Sequence, residues 1–259
     1  MDILPTLKKS KKIITYALEQ HFTIIGNMIR TILVLDIFNG SVVHALRGQR
    51  EHYLPIGEYS CVCKTSDPLN IVKELHPKEV YAADLNRIRG MGDNYSAIKN
   101  VTQYAKTILS CGVKTTQDVS TGLNIADTVT IGCENADFDV IGQACELKDA
   151  GRIHVNIDIM DNKILTNTRM SLTPLEAVEK LNEYPINNLI IIDLTKVGTE
   201  SGINVSFLED TVACSDHDVI FGGGVRDVAD LDQLSDIGIT GALVATGIHN
   251  QAIPVKMLC

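Results

Sequence analysis

The sequence has no tryptophan, only seven prolines among 259 residues, and none of the signatures that would mark several large protein classes. Low proline, 45% hydrophobic and 21% charged residues exclude a disordered chain and a collagen-like repeat. The seven cysteines form no CxxC pair and run from Cys61 to Cys259, which excludes a disulfide scaffold and suits a reducing cytoplasm. No HExxH or HxxxH pattern accompanies Cys61 and Cys63, so no metal site is expected. No GxSxG is present, and His44 and His154 read as barrel-lining or loop residues, which disfavours nucleophilic hydrolysis. Lys163 and Lys196 lie beyond their strands, a poor position for a Schiff base. No early GxGxxG follows the first strand, which disfavours an open doubly wound sheet.

Charge excludes a further class. The 23 basic and 32 acidic side chains give a net charge of −9, with no long basic run outside the extreme N-terminus, so nucleic acid is not an expected partner. A phosphorylated metabolite remains compatible, because backbone N–H groups can supply the local positive potential. Residues 1–27 carry Lys8, Lys9, Lys11 and Lys12 before IITYALEQHFTIIG, whose apolar run is broken by Glu19, Gln20 and His21. That segment falls short of the roughly 20 apolar residues of a membrane span and lacks an A-x-A-like cleavage site. It is expected to be an N-terminal extension outside the folded domain, with residues 28–259 forming one barrel and membrane anchoring disfavoured.

From Met28 onward, eight short aliphatic runs recur: TILVLD (31–36), EVYAAD (79–84), AKTILS (105–110), DTVTIG (127–132), IHVNID (153–158), NLIIID (188–193), DVIFGG (218–223) and GALVATG (241–247). Near-continuous apolar character predicts parallel strands covered on both faces. The intervening stretches carry helix signals: Ser66 or Asp67 as cap before Pro68, Thr173 with Pro174 and Glu176 as a capping box, and Gly238 as a stop. Alternating strand and helix with eight strands predicts an α/β fold, a (β/α)8 TIM barrel. An internal repeat supports two half-barrels. LDIFNGSV around Asp36 resembles IDIMDNKI around Asp158 (offset 122), AADLNRIRGMG resembles IIDLTKVGTESG (offset 109), and CGVK at Gly112 resembles GGVR at Gly224 (offset 112).

In such a barrel the chemistry sits at the carboxyl ends of the strands. Asp36 and Asp158 end the first and fifth strands, opposite one another, where one can take a proton while the other gives one. Asp84 and Asp193 occupy comparable positions but could equally cap the loops that follow. Gly222, Gly223, Gly224 and Arg226 end the seventh strand, and Thr246 and Gly247 end the eighth. A tight turn accounts for one glycine, whereas three together point to a phosphate. Gly112 and Gly132 stand at the matching positions of the first half, a reduced second anion site.

The stretches LDIFNGSVVHALRGQREHY, DPLNIVKEL, AADLNRIRG, the Asp158 strand, and GGGVR with ATGIHN together resemble the HisA/HisF barrel family of histidine biosynthesis. VVHALRG followed by Tyr53 is more similar to the isomerase branch than to the cyclase branch, which has Lys-Gly after the first strand. The resemblance implies an Amadori aldose-to-ketose rearrangement of a bis-phosphorylated ribotide, with Asp36 as general base removing the C2 proton and Asp158 as general acid protonating the ring oxygen. It implies no cofactor, and a glutaminase partner only for a cyclase. Three departures stand out: SCGVK at 110–114 in place of GGGIR, Val197-Gly198-Thr199 in place of Asp-Gly-Thr, and Asn86 in place of an aspartate. They admit a paralogue acting on a smaller, mono-phosphorylated substrate, or a phosphometabolite-binding protein without catalysis.

Overall fold

The computed structural model describes residues 29–168 and 171–259; the extension expected at residues 1–27 lies outside the described residues. Eleven strands follow in chain order: β1 (Arg30–Phe38), β2 (Ser41–His44), β3 (Leu54–Pro55), β4 (Glu79–Asp84), β5 (Lys106–Ser110), β6 (Thr128–Gly132), β7 (Ile153–Met160), β8 (Lys163–Ile164), β9 (Leu189–Asp193), β10 (Val219–Gly222) and β11 (Gly241–Val244). Eight of them, β1, β4, β5, β6, β7, β9, β10 and β11, pair in parallel in that order, and β11 closes on β1. Helices connect successive barrel strands, giving the (β/α)8 TIM barrel expected from the sequence.

The strands carry almost continuous apolar sequence because both faces are covered. Leu33, Leu35 and Ile37 of β1, and Val155, Ile157 and Ile159 of β7, face outward into the apolar layer beneath the helices. Residues of the other parity fill the lumen, where Ile32, Tyr81, Ala83, Ile108, Ile190, Ile220 and Leu243 form a second cluster. The two-residue side-chain period therefore places Asp36 in line with Ile32 and Val34, and Asp158 in line with Asn156 and His154, on the lumen side.

Local signals start the helices. Asp67 caps Pro68–Leu75 by accepting from the Asn70 N–H at 2.8 Å, and Thr173 with Glu176 closes a capping box on Pro174–Leu181. The half-barrel repeat is structural as well. Asn39-Gly40 turns β1 into β2, and Asp161-Asn162 turns β7 into β8, each pair with positive φ, as two-residue hairpins of this hand require. Asp118 and Asp230, 112 residues apart, play the same part in the two halves. Asp118 accepts from the backbone of Lys114 and Thr115, and Asp230 from that of Arg226. Among the described residues no helix is long and apolar enough to cross a membrane.

Candidate active site

Asp36 and Asp158 lie four strands apart around the ring of eight, so they face one another across the mouth. Both line one cavity at the carboxyl ends of the strands, together with Gly112, Gly132, Gly222, Gly223, Gly224 and Thr246. Arg226 and Gly247 do not line it. The Arg226 guanidinium is held by Asp230 through Nε at 2.9 Å and Nη2 at 2.7 Å, and it packs over Gly202. Gly247 lies beneath the wall, where a Cβ would meet Ile253 and the Arg226 carbonyl at under 3 Å.

The two carboxyls have unequal surroundings. Burial raises the Asp36 pKa to about 6, the nearby Arg50 opposing it. Burial and the negative charge of Glu134 raise Asp158 to about 7, against Arg50 and a 2.7 Å hydrogen bond donated by Asn156 Nδ2. Thr130 Oγ1 donates to Asn156 Oδ1 at 2.9 Å, which fixes the amide with its NH2 toward Asp158. Both carboxyls therefore hold a proton more tightly than an ordinary aspartate, Asp158 the more so because Glu134 adds its negative charge. One can accept a proton and the other donate one.

Arg50 sits between them, in the segment joining β2 to β3. Its guanidinium is paired to Glu134 at 3.0 and 3.3 Å, and its charge acts on Asp36, Asp158 and Tyr53. Burial drives the Tyr53 phenol well above its usual range, so it remains protonated, as does the fully enclosed Tyr81 across the lumen. On the other flank His44 stacks on Tyr59 with ring centroids 4.0 Å apart, and Tyr59 donates to Glu200 at 3.2 Å. Burial keeps His44 below its ordinary pKa.

Sequence reasoning did not single out Arg50, Glu134 or Asn156. Asn156 was within reach, since it shares the lumen parity of Asp158 two residues away. Arg50 opens a three-residue 3-10 helix between β2 and β3, and Glu134 lies in a turn after β6, where no period marks a side chain that returns to the mouth. The aspartates left open resolve differently. Asp84 is fully buried and caps its loop by accepting from the N–H groups of Arg87 (3.1 Å) and Asn94 (2.7 Å). Asp193 stands beside Thr195 and Lys196 with its pKa raised by burial. Asn86, one of the departures, holds the β1–β2 turn. It accepts from the Asn39 N–H and donates to the Asn39 side chain, both at 2.8 Å, an exchange that needs an amide. Gly198, in another departure, has φ +73°, and a Cβ there would lie 2.3 Å from the Ala45 carbonyl, where the segments after β2 and β9 cross.

The glycines after β10 have a conformational reason of their own. Gly223 has φ +108°, and a Cβ on it would lie 2.4 Å from the Asp193 carbonyl oxygen. None of the described turn and loop backbone hydrogen bonds uses the N–H of Gly224, Val225 or Gly247. In the first half, Asp118 takes the Lys114 N–H, and Arg87 is paired to the same carboxylate. Among the described residues no cluster of His, Cys, Asp and Glu is suited to hold a metal ion.

A profile of the histidine biosynthesis protein family matches residues 30–254. An uncharacterized protein of Methanocaldococcus jannaschii is 30% identical over 234 residues, covering 88% of this chain and 96% of its own. The 1-(5-phosphoribosyl)-5-((5-phosphoribosylamino)methylideneamino)imidazole-4-carboxamide isomerase of Methanosphaera stadtmanae is 23% identical, covering 86% of this chain and 94% of its own. The isomerase of the same name from Lacticaseibacillus casei is 26% identical, with 86% and 95% covered. With the barrel, the paired aspartates and a profile match across nearly all the described chain, the protein belongs to the histidine biosynthesis protein family.

Proposed function

We propose that the protein is an aldose–ketose isomerase of the HisA type, acting on a phosphoribosyl compound by acid–base chemistry without a cofactor. The observation that carries this reading is the pair of carboxyls, Asp36 and Asp158, that face one another across the mouth on one cavity, both with pKa values raised by burial. Asp158 protonates the ribose ring oxygen and opens the ring to an iminium at C1. Asp36 removes the C2 proton, and the resulting enolamine collapses to the 2-ketone as C1 takes a proton. Atoms are conserved and no electron acceptor is required. Gly222, Gly223, Gly224 and Thr246 hold one phosphate at the ends of β10 and β11, and Gly112 and Gly132 line the opposite side, the place that the second phosphate of a bis-phosphorylated substrate would take. The named relatives that share this reaction type support it. The test is turnover of the bis-phosphorylated aminoimidazole carboxamide ribotide. Asp36→Asn and Asp158→Asn are each expected to lose activity by at least a thousandfold without a fall in Tm.

One observation favours a narrower substrate. Among the described residues lining the mouth, Arg50 is the single Lys or Arg, and Glu134 already pairs with it. Arg226 is spent on Asp230, and Lys114 does not face the cavity. Four carboxylates (Asp36, Glu134, Asp158 and Glu200) share the wall. A compound with one phosphate suits this charge balance better than one with two, and the same assay run with mono- and bis-phosphorylated substrates separates them.

A further inference from the structure

The half-barrel repeat supplies a first-half counterpart for the residues around the second-half glycines. Ser110 stands opposite Thr130 across β5 and β6, as Gly222 stands opposite Leu243 across β10 and β11. Gly112 and Gly224 follow, with φ +61° and +79°. The turns after β6 and β11 match as well. The N–H groups of Asn135 and Ala136 both donate to the Gly132 carbonyl, at 3.0 and 3.1 Å, and those of Ile248 and His249 both donate to the Ala245 carbonyl at 3.0 Å. Glu134 therefore stands where the second half has Gly247. A carboxylate enters the first half at a position that carries no side chain in the second.

That carboxylate belongs to the mouth and is held there. Glu134 lines the cavity together with Gly112, Gly132 and Asp158. Its partner Arg50 arrives from between β2 and β3 and binds it at two points, Nη1 to Oε1 at 3.3 Å and Nη2 to Oε2 at 3.0 Å. The Arg50 and Glu134 side chains are 25% and 13% exposed, so solvent screens the pair weakly. The backbone fixes the turn too, because the Asn167 N–H donates to the Glu134 carbonyl at 2.8 Å. An anion entering on this side meets the Glu134 charge, and the guanidinium that would attract it is already neutralised. The other first-half cations do not replace it: Arg87 is paired to Asp118, and Lys114 does not line the cavity.

We infer that Glu134 is a specificity-determining residue, whose carboxylate takes the first-half anion position, neutralises Arg50 and so excludes a second phosphate from the substrate. The inference rests on the reading that the mouth binds a sugar phosphate, and it names the residue behind the preference for one phosphate. A site selects by repelling one ligand as well as by holding another. The substrate class that fits carries a phosphate at the ends of β10 and β11 and a group without negative charge at the Glu134 end.

The test is isothermal titration calorimetry of the full chain with ribose 5-phosphate and with the bis-phosphorylated aminoimidazole carboxamide ribotide. Every protein carries Asp36→Asn, so that the ribotide is not consumed. Adding Glu134→Gln is expected to tighten ribotide binding by about tenfold or more, while ribose 5-phosphate stays within about twofold of the parent. Glu134→Asp, which keeps the carboxylate, is expected to keep the parent's ratio of the two affinities. Glu200→Gln removes the same charge from another part of the wall and is expected to leave that ratio within about twofold. No gain for the ribotide with Glu134→Gln, an equal gain for both ligands, or the same change of ratio with Glu200→Gln overturns the inference. In each of those cases continued binding of ribose 5-phosphate leaves the isomerase reading intact. Failure of both ligands to bind any of the proteins overturns both.

Discussion

Removing the charge of Asp158 is expected to make the protein inactive and more stable, by an amount that depends on pH. The carboxyl is 8% exposed and its pKa rises from 3.8 to about 7 on folding. A pKa raised in the folded state means that the folded protein binds the proton more tightly. The associated stability is complete below about pH 4 and is lost as pH rises to about 7. About three pKa units correspond to about 4 kcal/mol, and relaxation of the site reduces this to about 2–4 kcal/mol. Asp158→Asn removes the ionisable group while its amide oxygen can still accept the Asn156 hydrogen bond. Urea unfolding of both proteins at pH 4, 5.5 and 8 measures the difference. The variant is expected to match the wild type at pH 4 and exceed it by about 2–4 kcal/mol at pH 8. A difference that stays flat with pH, or a wild type more stable than the variant at pH 8, would refute the reasoning that burial sets this pKa.

Three other substitutions probe separate parts of the site. Arg50→Gln withdraws the charge that holds Asp36 down, so the Asp36 pKa rises further and the acidic limb of the kcat/KM profile moves to higher pH; a limb that stays in place or moves down would contradict it. Gly223→Ala forces a Cβ to 2.4 Å from the Asp193 carbonyl at φ +108°, and a loss of about 1–3 kcal/mol is expected in thermal unfolding. Arg226→Met breaks the bidentate pair with Asp230 and should lower Tm while leaving KM within about twofold, because the guanidinium is turned away from the mouth; a tenfold rise in KM would show that it reaches the substrate.

The eight barrel strands were legible because burial on both faces imposes an apolar run on each, and the runs from TILVLD to GALVATG coincide with β1, β4, β5, β6, β7, β9, β10 and β11. That Asp36 and Asp158 face one another at the mouth was legible for a geometric reason: strand parity and the order of eight strands place the first and fifth opposite each other. Arg50 and Glu134 were not, since their ion pair joins loops 84 residues apart and depends on where two unpatterned segments cross. Arg226 illustrates a different limit. The glycines beside it suggest a basic group aimed at an anion, but Asp230, one helical turn further on, takes the guanidinium. That competition is decided by side-chain rotamers, which sequence spacing leaves open. Asn86 reads as a lost aspartate until the β1–β2 turn shows an amide exchanging two hydrogen bonds with Asn39.

The proposed reaction gives Asp36 the C2 proton to remove and Asp158 the proton for the ring oxygen. Its most direct test follows deuterium placed at C2 of the bis-phosphorylated ribotide through a single turnover by the wild type, Asp36→Asn and Asp158→Asn. The wild type is expected to lose the C2 deuteron with a primary isotope effect, and both variants to retain the label with no ketose formed. Ketose formation at an undiminished rate by Asp36→Asn would contradict it.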